Sequence, residues 1–227
     1  MNFIKSFTKN EIILWGFSVF AISSAFIIFD KVNYTDLVAS LLGVTSIIIN
    51  AKGNPLGQLL MILFSLLYGY ISYSFRYYGE MITYMGMTMP MAVISLISWL
   101  SHPYKGKKDQ VEINRISKKE YIFMTCLTIA VTACFYFILR KLGTASLAFS
   151  TLSVATSFAA AYLTFRRCRT FSLAYALNDA VLIVLWSIAA SKDKAYISLI
   201  ICFIMFLAND IYGYINWGKM QKAQNNS

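Results

Sequence analysis

Long apolar runs constrain this chain more than any other feature. Eight stretches are apolar enough to be read as membrane spans: Glu11–Phe29, Leu37–Ala51, Leu56–Phe75, Met81–Leu100, Tyr121–Leu139, Ser146–Phe165, Phe171–Ala190 and Ala195–Trp217. A crossing helix needs about 20 mostly apolar residues, and the second stretch is the shortest. Lipid offers backbone N–H and C=O groups no partners, so each run must satisfy them internally as a helix. The 227 residues are 58% hydrophobic and 13% charged, where a soluble domain carries about 25% charged residues. The expected fold class is therefore an all-α integral membrane protein with eight spans. Residues 1–227 form a single transmembrane domain.

Charge distribution orients the spans. Eight crossings place both termini on one side. That side holds Lys5, Lys9, Lys52, six basic residues between Lys105 and Lys119, Arg166, Arg167, Arg169, Lys219 and Lys222. The other side holds Lys31, Arg76, Arg140, Lys141, Lys192 and Lys194. The excess of fourteen over six among the 20 basic residues predicts cytoplasmic termini, with the chain in the cell membrane. The basic balance does not point to nucleic acid, because it sits in short loops rather than in a basic, aromatic-interleaved patch. The long connection His102–Glu120 is too polar to cross and reads as a solvated, lipid-facing segment. The first apolar run lacks a small-residue cleavage site, so it is expected to be a retained helix.

A repeat lies within this pattern. A shift of 118 residues lays Leu37–Leu100 onto Ala155–Gly218 without a gap, matching three spans to three spans. Tyr68 falls on Trp186, Tyr78 on Tyr196, Ile97 on Ile215 and Trp99 on Trp217. Three spans reverse the chain direction, and the single span 121–139 restores it, making the two repeats (37–100 and 146–217) parallel. Span 11–29 is extra. Duplicated bundles with a midplane site between them recur in transporters.

Of the ten acidic residues, only Asp179 and Asp210 fall well inside an apolar run, each preceded by asparagine. A carboxylate at that depth is costly and faces either a partner or a polar cavity. On span 171–190, Tyr175, Asn178, Leu182 and Trp186 share a helical face, with Asp179 beside it. On the last span, Asn209, Tyr212 and Asn216 align, with Asp210, Gly213 and Trp217 on the adjoining stripe. Such surfaces can stack an aromatic ring, hydrogen-bond a sugar or carboxamide, and favour a cationic ring. The plainer readings are that Asn178 and Asn209 join neighbouring helices and that the aspartates are paired or capping groups. Asp210, about seven residues from the cytoplasmic end of its span, is expected to be partly hydrated. Gln58 either lines a path or bonds a helix. Trp99 and Trp217, at span ends, read as interfacial anchors. Thr88, beside Pro90, can satisfy backbone that the proline frees. Cys126, Cys134, Cys168 and Cys202 read as small buried hydrophobes.

Enzyme signatures are missing. A single histidine, His102, excludes a multi-histidine metal site, and there is no phosphate-cradling glycine motif. No cofactor or metal is expected. A homo-oligomer is compatible with the sequence.

The segments YYGEMITYMGMTMPMAVISLISWLSHPYKGK, RISKKE, ALNDAVLIVLW and FLANDIYGYINW together resemble the PnuC family of nicotinamide riboside transporters, over roughly residues 37–220. The resemblance implies a SWEET-like 3+1+3 helix arrangement, here with one added N-terminal helix. It also implies facilitated uptake of nicotinamide riboside for NAD synthesis, the nucleoside being trapped by cytoplasmic phosphorylation. On this resemblance Asn178 and Asn209 bond the ribose or carboxamide. Trp186 or Tyr212 stacks the ring, and Asp179 or Asp210 offsets its charge. Met91–Leu96 departs from a pattern that some relatives carry in the fourth span, and thiamine or riboflavin transporters share the architecture.

Overall fold

In the computed structural model, which describes residues 7–74, 78–144 and 146–226, apolar runs become helices bounded by local capping chemistry. Helix α1 (Lys9–Ala25) starts at a reciprocal cap: Glu11 N–H donates to Thr8 Oγ1, and Thr8 N–H to the Glu11 carboxylate. It continues through a π turn, Phe26–Asp30. Helix α2 (Tyr34–Asn50) has 17 residues, about 26 Å of rise, just short of a bilayer core. Gly53, at φ +69°, turns the chain after it, and Asn54 Oδ1 accepts from Leu56 N–H as helix α3 (Leu56–Ser74) begins. The fourth span is composite: α4 (Tyr78–Thr83), a π segment (Tyr84–Thr88) and α5 (Met89–Ser101). Pro90 lies in the first turn of α5. Just before it, Thr88 Oγ1 donates to Thr83 O at 3.3 Å, not to the carbonyl that Pro90 leaves without a partner four or five residues before it, so the threonine does not make the backbone compensation expected of it.

Helices α6 (Lys118–Lys141), α7 (Leu147–Phe165), α8 (Phe171–Ala190) and α9 (Ile197–Asn225) complete the chain, α9 being entered through a single 3-10 turn, Lys194–Tyr196. Among the described residues, seven helices are long and apolar enough to cross a membrane, and α2 is a shorter apolar one. The chain is a multi-pass, all-α membrane protein. Lys5, Arg76 and Phe75, used in placing spans and charges, lie outside the described residues, as does the side chain of Tyr78.

The connection after α5 departs from a plain solvated segment. It forms a small antiparallel hairpin, β1 (Pro103–Tyr104) with β2 (Lys107–Val111). The following residues dock beneath the helices. Val111 is fully buried, its N–H bonds Gly53 O, and Asn114 N–H bonds Arg167 O. Gln224, near the end of α9, holds Val111 O and Ile113 N–H. Apolar side chains at 111, 113 and 116, dispersed among charges, supply the docking face.

Helix α8 packs between α7 and α9, α3 packs on α2 and α5, and α1 lies against α2 and α9. Helix α6 leans mainly on α7 and is otherwise exposed. Cys126 and Cys134 are on it and exposed, correcting their expected burial, whereas Cys168 and Cys202 are buried. The start of α1, the end of α9 and the hairpin gather at one end of the molecule, called the terminal end below.

Candidate functional site

Between the helices lies a cavity whose lining includes Asn50 at the end of α2, Thr88 of the π segment, Ser157 on α7, Asn178 and Asp179 on α8, and Asp210 on α9. Asn178 Oδ1 accepts from three hydroxyls of α7: Thr156 at 2.8 Å, Ser157 at 3.0 Å and Ser153 at 3.2 Å. Three donors on one oxygen fix the amide's orientation and turn its NH2 group toward the cavity as a donor. Asn50 is held similarly, its Oδ1 accepting from Gln58 Nε2 at 2.8 Å.

Asp179 and Asp210 are each 4% exposed, and their carboxyl groups lie within hydrogen-bonding reach of one another. Asp179 Oδ2 is buried with no hydrogen-bond partner. No lysine or arginine lines the cavity. Tyr84, Tyr175, Phe64, Phe171, Phe203 and Phe206 form its aromatic walls. Phe64 meets Tyr84 and Phe206 edge-on at 5.8 and 6.2 Å. The open space is only about 50 Å³, room for a water or two and far below the several hundred Å³ of a filled small-molecule site.

Aromatic clusters adjoin the cavity on two sides. Toward the terminal end, Trp99, Trp217 and Phe171 pack together, the two indoles 5.4 Å apart and both fully buried. Trp99 Nε1 donates to Thr164 O of α7 at 2.8 Å, and Trp217 Nε1 to Asn50 O of α2 at 2.9 Å. These tryptophans match under the 118-residue shift, and each reaches the first helix of the other matched segment. They are therefore not interfacial anchors. Burial against the docked loop at the terminal end places them inside the protein. At the opposite end, Tyr68 packs against Tyr84, the rings tilted with centroids 4.4 Å apart. Beyond it lies a second cavity of about 110 Å³, lined by Tyr68, Trp186, Tyr196 and the acidic residues Asp30, Asp36, Glu80 and Asp193.

The structure thus gathers Asn178, Asp179 and Asp210 in one cavity and puts other candidates elsewhere. Trp186 is one layer out, 5.3 Å from the Tyr196 ring. Gln58 acts through Asn50. Asn209 is fully buried against α1, its Nδ2 donating to Ser18 Oγ at 2.9 Å and Met205 O at 2.7 Å. Tyr212 also faces α1, donating to Glu11 at 3.1 Å, and Glu11 is paired with Lys52 at 2.8 Å. Asp210, expected near the cytoplasmic end of its span, is buried and lines the cavity. Asn50 and Tyr84 were not singled out by the sequence reading. Asn50 stands where a helix stops and reads as punctuation, and Tyr84 is one of several tyrosines in its span.

Two substitutions separate these placements. Asn209→Ala is expected to lower the thermal midpoint, by the order of 1 kcal/mol for a lost buried hydrogen bond, without changing substrate KM. Asn178→Ala should raise KM about tenfold; equal effects on KM would contradict the assignment. Gly57 makes room for Asn50, since a Cβ there would lie 2.2 Å from Asn50 Oδ1 and 2.7 Å from its backbone nitrogen. Gly57→Ala should therefore cost about 1–3 kcal/mol of stability and weaken transport, and a variant with wild-type melting and uptake would refute this.

The profile of the nicotinamide mononucleotide transporter family matches residues 33–219. A nicotinamide riboside transporter PnuC from Neisseria mucosa is 24% identical over 92% of this chain and 81% of its own length. The protein of the same name from Haemophilus influenzae is 22% identical, over 85% of this chain and 83% of its own. A crystal structure of the vitamin B3 transporter PnuC superposes with a TM-score of 0.83 at 23% identity, covering 96% of this chain and 94% of that one. The family and the solved neighbour are transporters. On the extent of the profile match, together with the shared fold, this chain belongs to the nicotinamide mononucleotide transporter family, that of PnuC.

Proposed function

We propose that this protein carries nicotinamide riboside across the cell membrane by facilitated diffusion, alternating access to the central cavity from either side. The observation that carries the reading is the carboxyl pair Asp179–Asp210, set among aromatic rings in a cavity without a basic residue. Two adjoining buried carboxyl groups do not both ionise, so the pair presents at most one negative charge. One negative charge among aromatic faces suits one pyridinium ring. The Asn178 amide is oriented to donate to the ribose or carboxamide. The lack of lysine or arginine in the lining favours the nucleoside over its nucleotide, since phosphate is normally held by such donors.

In this reading residues 37–100 and 146–217 are two three-helix bundles of a SWEET-like fold, joined by the linker helix 121–139, with 11–29 added. The termini are cytoplasmic, on the charge bias, and cytoplasmic phosphorylation keeps the nucleoside inside. The test is counterflow in proteoliposomes of the purified chain, with nicotinamide riboside, its nucleotide, thiamine and riboflavin as competing substrates. Exchange of the riboside well above the others is expected. No exchange, or equal exchange of thiamine, would overturn the assignment, and activity of the lone chain would remove any need for an energising subunit.

A further inference from the structure

At the terminal end, away from the central cavity, two arginines converge on an open groove of about 290 Å³. Arg115 arrives from the docked loop, whose preceding residue Asn114 is pinned to Arg167 O. Arg169 arrives from the turn between α7 and α8, its guanidinium lying 4.1 Å over the Tyr214 ring of α9. Arg169 Nε is buried with no hydrogen-bond partner. The neighbouring arginines are engaged elsewhere: Arg166 pairs with Glu120, and Arg167 bonds Ser98 and Glu112 O. No carboxylate lines the groove, while the Tyr121 and Thr170 hydroxyls, 3.1 Å apart, do.

We propose that this groove binds a phosphate group. Two guanidiniums from different elements, with the Tyr121 and Thr170 hydroxyls on the same lining, match an oxyanion in charge and hydrogen-bonding capacity. The ligand is either a lipid headgroup or soluble phosphate. The groove lies at the start of α6, whose flank is largely exposed, and Arg with Tyr at such a level is the side-chain pair that meets headgroups. Occupancy would tie the docked loop, α6, the α7–α8 turn and α9 together.

The experiment compares thermal midpoints of the full chain in neutral detergent, with added phosphatidylglycerol, phosphatidylcholine, or inorganic phosphate at constant ionic strength. Phosphatidylglycerol or inorganic phosphate should raise the wild-type midpoint, and R115Q should abolish the rise. Arg115 is exposed, so R115Q should fold and keep wild-type counterflow. R169Q is the second variant, expected to give the same loss. A rise with phosphatidylglycerol alone identifies a lipid headgroup, and a rise with inorganic phosphate identifies the soluble ion. No rise with either, a rise equal to that with phosphatidylcholine, or a rise retained in R115Q overturns the proposal.

Discussion

Replacing both intramembrane aspartates, Asp179→Asn with Asp210→Asn, is expected to reduce riboside exchange about 100-fold, whereas each single replacement costs about tenfold or less. The asymmetry follows from two adjoining buried carboxyls carrying at most one charge between them. An asparagine mimics a protonated carboxyl in shape and in its ability to donate. A single variant therefore keeps one carboxylate and one donor beside it, and the cavity keeps its negative charge. The double variant keeps the shape and loses the charge. Burial strengthens the consequence, because both residues are 4% exposed and no basic side chain lines the cavity to complicate the balance. Counterflow kinetics on purified variants would measure it, with melting profiles to confirm folding. If the double variant were no worse than the singles, the pair would not be the counter-charge to the ring.

The second large effect concerns the tryptophan layer. Trp217→Ala should destabilise the protein by about 3–5 kcal/mol, the range for removing a large buried aromatic. Trp217→Phe should cost about 1 kcal/mol more than a neutral swap, for the hydrogen bond to Asn50 O that it cannot make. Thermal midpoints in detergent would separate the variants. An indole serving only as an anchor at the lipid interface would tolerate either change, so a near-silent Trp217→Ala would restore that reading. The Asn50 carbonyl is the acceptor, and the Asn50 side chain lines the cavity. Losing the indole should therefore disturb transport as well as stability.

The spans were legible because lipid imposes a simple demand, and eight apolar runs answer it. Only the short α2 was marginal, and it proved to be 17 residues. The docked loop was hidden because three apolar side chains dispersed among polar and charged residues make too short a signal. At the site, spacing placed Asn178 and Asp179 on adjoining stripes of α8, and both line the cavity. On α9 spacing does not decide which stripe faces the cavity. Asn209 and Asp210 are separated by about 100° of helical rotation, so when Asp210 turns to the cavity its neighbour turns to α1. Tyr212, three residues on from Asn209, follows it to Glu11. Sequence shows the two stripes but not which of them meets the added first helix. Trp99 and Trp217 posed a similar ambiguity, since an indole at a span end looks the same whether lipid or a docked loop covers it.

The smallness of the central void has a kinetic consequence. A nucleoside does not fit in about 50 Å³, so the cavity must widen to admit it. Apparent affinity scales with the population of the widened shape, and the cost of widening is returned when the ligand leaves. Short residence rather than tight grip is the expected behaviour. For a carrier that only equalises concentrations, this is the regime in which flux is not throttled by release.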